Sequence, residues 1–446
     1  MPHIGLIFTG FTGNLNSSLE VAYRLKSEGH KITCLSVLDL KEQIERYDLA
    51  YVQLPPIKLS LSTENLGRLQ NLSWIKKFLF HLENKERIIK DGNKLLGLDV
   101  YEKIISDLHI DKVLIDKELH DLIFVCYALK IPTTILSTWF SNKMGNGTKL
   151  PPLRSDIIPN KGIKGSALGI LFNWIYIKIK VQFRIFLNNL TFKGYRRAAL
   201  LRYAKENGFP TDTLIATNLP IFFSYTNLPF ISFTMAEMDF PHQPERNFYY
   251  AGPMVHEKRK MMLNITENNL LDNILRLKEH SRKKLIYCAA SSLLDPDLSF
   301  LKKVISAVEE KDEWMLIISL GGKLPPNRLE TESSNVHIIY WVPQMKVLEH
   351  TDCCITHAGN NSVNECIHFS VPMLAYSGKK FDQNGCAARI HYHGLGIRGD
   401  KDKDDALQIR KNIKRIFEEP SFKEKMNFFH RKYREYGQRK LTPLLA

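Results

Sequence analysis

Residues 341–383 read WVPQMKVLEHTDCCITHAGNNSVNECIHFSVPMLAYSGKKFDQ, and this stretch decides the fold. The run Cys353 to Thr356 is short, apolar and β-prone, whereas the residues after Gly359 have helical spacing, so a strand feeds a helix through a glycine. The first N–H groups of a helix lack intrahelical partners and sit at the positive end of its dipole. Asn361 and Ser362 therefore stand at an anion site. Gly359 lets a phosphate approach the backbone. Glu365 shares a helix face with Asn361, where a carboxylate can accept hydrogen bonds from both hydroxyls of a ribose. Trp341 is placed to stack on a base, and Asp382 with Gln383 follows at a spacing that suits a sugar. Taken singly, Trp341 also reads as a core residue and His357 as a helix cap; taken together, the set reads as an activated-sugar site.

Outward from this block, the chain has the size and pattern of two α/β domains. Its 446 residues exceed what one core usually accommodates, and 44% hydrophobic content supplies two. HIGLIFT, SSLEVAYRLKSEG and KITCLSV open a βαβ unit, with Gly29 at the helix C-terminus. Further strands and helices follow through KVLIDKELHDLIFVCYALKIPTTILS, the start of a doubly wound sheet. Roughly 60–108 and 155–207 read as inserted helices and loops that line an acceptor pocket. FYYAGPMV ends the first half, and KLIYCAA opens the second. The expected division is 1–255, 256–420 and a C-terminal helix in 421–446. After the signature the pattern predicts a helix from Phe381, a glycine turn at Gly394 to Gly399 and two basic helices to about Tyr436.

Composition excludes several classes. Seven cysteines, odd in number, with no Cys-x-x-Cys and mostly in apolar runs, point to buried reduced thiols. Met1 to Thr9 reads as a strand rather than a signal peptide, so the expected location is the cytoplasm. The net charge of +15 asks for an anionic partner, but no zinc-finger, RNP or helix-turn-helix pattern accompanies it, so nucleic acid is not expected. Residues 163–187 mix Trp174, Tyr176 and several Ile and Phe with Lys178, Lys180 and Arg184, as interfacial segments do; charge interrupts the stretch too often for it to span a bilayer. Peripheral contact with an anionic membrane, at the inner face, is one reading. The other is that the stretch packs within the first domain. Asp400, Asp402 and Asp404 imitate a calcium loop, yet Asp405 stands where glycine is needed, so a solvated helix start is expected.

The block 341–383 resembles the signature of the family 1 UDP-dependent glycosyltransferases: Trp341, Pro343, Gln344, Leu348, His357, Gly359, Asn361, Ser362, Glu365, Val371, Pro372, Asp382 and Gln383 fall in its order. The resemblance implies a GT-B fold, two facing doubly wound Rossmann-like domains. It implies that Trp341 and Gln344 hold uracil, that His357, Asn361 and Ser362 hold the diphosphate, that Glu365 holds the ribose, and that Asp382 with Gln383 holds the sugar. LIYCAASS is similar to the family's diphosphate loop, with Ser291 in place of a usual Gly and Ser292 keeping the hydroxyl. Asn360 and Ser377 depart from the Trp and Pro of many members. The branch implied is the bacterial one acting on macrolides, polyketides and carotenoids.

The sharpest departure lies in the first domain. Where the family has Gly-His-x-Asn-Pro, its His being the general base, this chain has Gly13-Asn14-Leu15-Asn16-Ser17. Asn14 cannot accept a proton near neutrality. Asp116 matches the Asp that orients that His. Three readings stay open: Asp116 or another carboxylate such as Asp295 or Asp297 is the base; the acceptor is acidic or a nitrogen and Asn14 only orients it; or the chain binds a sugar nucleotide without efficient transfer. His120 is a weak further candidate and His30 a structural residue. The expected function is inverting, metal-independent transfer of a hexose, glucose first, from a UDP-sugar to a lipophilic small molecule, with no cofactor. The alternatives are a UDP-sugar-binding protein and a GT-B epimerase or hydrolase.

Overall fold

The computed structural model describes residues 2–58, 73–145, 149–191, 193–217, 221–257, 265–290 and 295–445. Among the described residues nine strands precede residue 255: β1 (His3–Ile7), β2 (Lys31–Ser36), β3 (Ala50–Gln53), β4 (Lys112–Asp116), β5 (Thr133–Ser137), β6 (Leu214–Ala216), β7 (Phe223–Tyr225), β8 (Phe230–Ser232) and β9 (Phe248–Tyr250). Six follow: β10 (Lys284–Ala289), β11 (Trp314–Ser319), β12 (Val336–Ile339), β13 (Cys353–Thr356), β14 (Met373–Ala375) and β15 (Gly396–Arg398). The first sheet runs β3-β2-β1-β4-β5-β8-β9 and the second β12-β11-β10-β13-β14-β15, while β6 and β7 form a separate antiparallel ribbon. Helices cover both faces of each parallel sheet, so the central strands are continuous apolar runs; every residue of β11 is buried.

Strand order reverses between β1 and β4 in one sheet and between β10 and β13 in the other. Crevices open at such reversals, beyond the carboxyl ends of the strands. Here the helix that follows β1, Thr12–Ser27, carries Asn14 and the loop after β13 carries His357, and both reach one interdomain cleft.

Side chains from the helices flanking β14 lock the two halves together. Arg389, on the helix Gln383–Tyr392, donates through Nε to Asp239 Oδ1 of the first half at 2.9 Å, with both side chains essentially unexposed. Its guanidinium lies between the rings of Phe140 and Phe240, 4.4 and 4.5 Å from their centroids. Asn360 Nδ2 donates to the Thr138 carbonyl at 2.7 Å and Asn364 Nδ2 to the Phe233 carbonyl at 3.1 Å, both across the divide. The last long helix, Pro420–Gly437, packs on the helix Asn360–His368 and delivers Tyr436 against Gly252. A Cβ at Gly252 would fall 2.4 Å from that side chain, and its φ of +84° also favours glycine. Beyond it, Leu441 and Leu445 enter the first domain's core, and Thr442 bonds His30 Nε2 at 2.7 Å.

Several expectations shift. The glycine turn at Gly394 to Gly399 contains β15, because pairing with β14 extends the sheet edge. The helix expected from Phe381 begins at Gln383, since Phe381 takes a left-handed φ of 45°. Gly29 does end its helix, at φ +96°. The inserted segments form the helices Trp74–Lys90, Leu98–Asp107, Ala167–Leu190 and Tyr195–Glu206. Their described residues line no part of the interdomain cleft. The longest is tied instead to outer loops, Trp174 Nε1 donating to the Leu150 carbonyl at 2.7 Å and Arg184 Nη2 to that of Thr217 at 2.6 Å. All seven cysteines are free and buried. Asp405 caps the helix Ala406–Glu418, the solvated helix start expected there. Among the described residues no helix is long and apolar enough to cross a membrane.

Removing one partner of a buried ion pair leaves the other charge uncompensated, at a cost of about 3–5 kcal/mol. Arg389→Ala is therefore expected to lower the thermal unfolding midpoint by at least about 5 °C. Arg389→Met with Asp239→Leu should recover part of that loss, and a calorimetric scan of the three proteins checks it.

Candidate active site

Asn14 sits in the first turn-and-a-half of the helix Thr12–Ser27, immediately past β1. Its Nδ2 donates to Thr9 Oγ1 at 2.9 Å and to Asp116 Oδ2 at 3.1 Å. The same carboxylate oxygen accepts the Thr9 N–H at 2.8 Å and the Thr9 hydroxyl at 3.2 Å. Asp116 is thus placed as an anchor for the helix start that carries Asn14. Burial pushes its pKa up to about 7 despite those donors. Both donations from Asn14, to Thr9 and to Asp116, come from its amide nitrogen.

A cavity of about 510 Å³ opens between the halves. Asn14, Trp341, Gln344, His357, Gly359, Asn361, Ser362, Glu365, Asp382 and Gln383 all line it. Asp116 does not, being buried behind Asn14, and Ser292 lies outside the described residues. On the C-terminal wall, Gln344 Nε2 bonds both Glu365 Oε2 and Ser362 Oγ, the latter at 3.4 Å, while Tyr287 donates to Gln344 Oε1 at 3.3 Å. The helix Asn360–His368 begins at Gly359, where an added Cβ would lie 2.8 Å from His357 Nε2. Burial holds the His357 pKa at about 4, so the ring is neutral and offers a hydrogen bond rather than a charge. Ala358, Lys379 and Phe381 all adopt positive φ around this wall, the kind of backbone strain that tight functional loops store.

The walls also touch each other. Ser17 donates to Asn361 Oδ1 at 3.2 Å, and a Cβ on Gly13 would meet Asn361 Nδ2 at 2.7 Å. A second cavity of about 420 Å³ adjoins the first and shares Ala290, His357 and Gln383; Lys379, Lys380 and Lys401 line it opposite Asp295, Asp297 and Asp402, so its charges balance. Asp295 and Asp297 line that second cavity and not the cleft, Asp297 capping the helix Leu298–Val308 through Phe300 N–H. His120 is a core residue: its Nδ1 pairs with the Tyr225 hydroxyl at 2.6 Å, its Nε2 accepts from Phe222 N–H, and burial lowers its pKa to about 3. Among the described residues no group of three or more His, Cys, Asp and Glu is arranged to hold a metal.

Sequence reasoning missed Glu118, Thr138 and Trp139, which line the cleft, and Lys117, which packs on Trp139. Glu118 lies just past the carboxyl end of β4, where the crevice opens, and that position was the available signal. Burial raises its pKa, Lys117 opposes the rise and Asp382 adds to it. Lys117 donates to Ser137 Oγ at 2.8 Å and sits 2.9 Å from the Trp139 ring centroid; burial lowers its pKa to about 7.

Residues 304–431 match the family model for the C-terminal domain of erythromycin biosynthesis protein CIII-like proteins. Over that span the chain is similar to glycosyltransferases of the bacterial macrolide type. An uncharacterized UDP-glucosyltransferase, YdhE, of Bacillus subtilis (strain 168) is 34% identical over 134 residues, 30% of this chain and 33% of that protein. Zeaxanthin glucosyltransferase of Pantoea ananas is 28% identical over 180 residues, 40% and 39% of the two chains. The matched region is thus a third to two-fifths of each relative's length. Across the whole molecule, the crystal structure of the glycotransferase of kitacinnamycin superposes with a TM-score of 0.66 at 18% identity, covering 98% of this chain and 96% of that one. The glycosyltransferase fold, GT-B, therefore extends through both halves.

A hydrogen bond to a charged group contributes about 1.5–3 kcal/mol. Glu365→Ala is expected to weaken UDP binding by at least about tenfold. Calorimetric titration of both proteins with UDP measures this, and equal affinities would remove Glu365 from the ribose site.

Proposed function

We propose that the chain is an inverting, metal-independent hexosyltransferase that moves a hexose, glucose first, from a UDP-sugar to a lipophilic small molecule. The observation that carries this reading is the single cleft in which Trp341, Glu365, Asp382 and Gln383 face Asn14 and Glu118. Trp341 stacks on uracil, Glu365 holds the ribose, and the N-terminus of the helix Asn360–His368 with His357 receives the diphosphate. Asp382 and Gln383 hold the sugar hydroxyls. Developing charge on the leaving diphosphate meets backbone N–H groups and the Asn361 and Ser362 side chains, so the protein's own groups can stabilise it.

In the transfer, the acceptor oxygen attacks the anomeric carbon from the face opposite the diphosphate. The new C–O bond forms as the bond to the diphosphate oxygen breaks, and that electron pair leaves on UDP. The acceptor's proton must go to a base. Glu118 is the carboxylate on the first-domain wall that reaches the cleft, and we assign it this role; Asn14 orients the hydroxyl through its carbonyl oxygen, and Asp116 holds Asn14. A carboxylate whose pKa is raised by burial is a stronger base than an exposed one, which suits it to this step. The reading places the chain in the cytoplasm.

Incubation with UDP-glucose and a panel of alcohols, phenols and amines, read by mass spectrometry, tests the activity; release of glucose with no adduct would instead mark a hydrolase, and binding without turnover a sugar-nucleotide carrier. Glu118→Gln is expected to lower transfer to an alcohol by about a hundredfold or more while leaving UDP affinity roughly unchanged. Asp116→Asn should cost less; the reverse ranking would identify Asp116 as the base. Because the base must be ionised and burial raises Glu118's pKa, kcat/KM should fall with decreasing pH along a limb that lies above the ordinary carboxylate range. Glu118→Gln should abolish that limb.

A further inference from the structure

The helix Ala167–Leu190 is apolar on two opposite sides. Ser166 caps its start, accepting the Gly169 N–H at 3.0 Å. Ile170, Trp174 and Val181 face the protein, with Ile170 and Val181 buried. The opposite side carries Leu168, Phe172, Ile175, Ile179, Phe183 and Phe186, all exposed; Phe172 is 66% and Ile179 64% accessible. At 3.6 residues per turn these six fall within an arc of about 80° centred opposite the buried stripe. A helix that is apolar all round is ordinarily covered on every side. Among the described residues nothing covers the outer face.

Charge identifies the missing cover. Between Asp156 and Glu206 the sequence holds ten Lys and Arg and no Asp or Glu. Lys178 and Lys180, both exposed, lie about 60° to either side of the apolar arc. That arrangement suits a surface with an apolar interior and an anionic rim: the six side chains enter the acyl boundary while the lysine stems reach outward to phosphates. A second copy of this chain would set cations against cations. The helix is too polar to cross a bilayer, so it lies in the plane of the surface. We propose that the outer face of Ala167–Leu190 docks the protein on an anionic lipid bilayer. Arg184, donating to the Thr217 carbonyl, and Trp174, donating to that of Leu150, hold the helix to the domain so that docking carries the acceptor-binding half with it.

Sedimentation with vesicles tests this without requiring any transferase activity, so its outcome is independent of the function proposed above. The protein is expected to sediment with vesicles of phosphatidylcholine mixed with phosphatidylglycerol, to be released as salt rises, and to remain in solution with phosphatidylcholine alone. A Phe172→Glu, Ile179→Glu, Phe183→Glu triple variant should lose at least about tenfold in vesicle affinity, with its UDP affinity and thermal midpoint unchanged. If that variant does not fold, Lys178→Glu with Lys180→Glu, at exposed positions, should show a loss of similar direction. Absence of binding to the anionic vesicles, or binding that neither variant weakens, would overturn the proposal. A dimer seen by light scattering that the triple variant dissociates would overturn it in favour of a second copy.

Discussion

The cleft exists because Arg389 and Asp239 meet in a dry interior. The pair joins the helix after the signature to the first domain, with Tyr250 donating its hydroxyl to Asp239 Oδ2 at 2.5 Å. Two charges removed from water are stable only with their hydrogen bonds satisfied, and here the second carboxylate oxygen and the aromatic sandwich meet that condition. The pair thereby fixes the angle at which two strand-order reversals look at each other. Asn360, Asn364, Tyr436 and the tail at Leu441 and Leu445 add to the same joint. A donor half alone would present a sugar nucleotide to solvent; the joint supplies the wall opposite.

On that wall, replacing the imidazole usual in the resembling family by Asn14 alters the division of labour among neighbouring residues. The amide keeps the hydrogen bond to Asp116 that an imidazole N–H would make, so the loop geometry survives. Proton acceptance does not survive, since an amide has no basic lone pair of use near neutrality. Glu118, next to Lys117 and Asp382 in a low-dielectric pocket, is the group whose chemistry fits the vacancy. Its environment raises its basicity through burial, and Lys117 keeps the charged form accessible.

The described residues of the first domain's inserted helices line no part of the cleft. Their longest helix spends its polar anchors on the carbonyls of Leu150 and Thr217 and leaves an apolar ridge facing outward. On the proposed reading, a lipophilic acceptor would be met where such molecules dissolve. The basic excess of the whole chain, +15, then has a counterpart in an anionic surface.

Much of this was legible in the residue order. The strand, glycine and helix at Cys353 to His368, the βαβ opening at His3 to Ser36 and the spacing of Trp341, His357, Glu365 and Asp382 depend on local periodicity and on the dipole of one helix, and local physics is written in sequence. The mixture of aromatic, aliphatic and basic residues in 163–187 was visible too, but not which side stayed bare. Tertiary structure alone decided three matters. Asp116 became an anchor because Thr9 and Asn14 fold over it from β1. Glu118 reached the cleft while His120, two residues further, turned into the core beside Tyr225, because a helix begins between them and rotates the chain by a turn fraction that periodicity leaves uncertain by a residue or two. Arg389 and Asp239, 150 residues apart, became partners through the packing of one domain on another. Contacts over such separations arise from burial of whole surfaces, and no short window of sequence contains them.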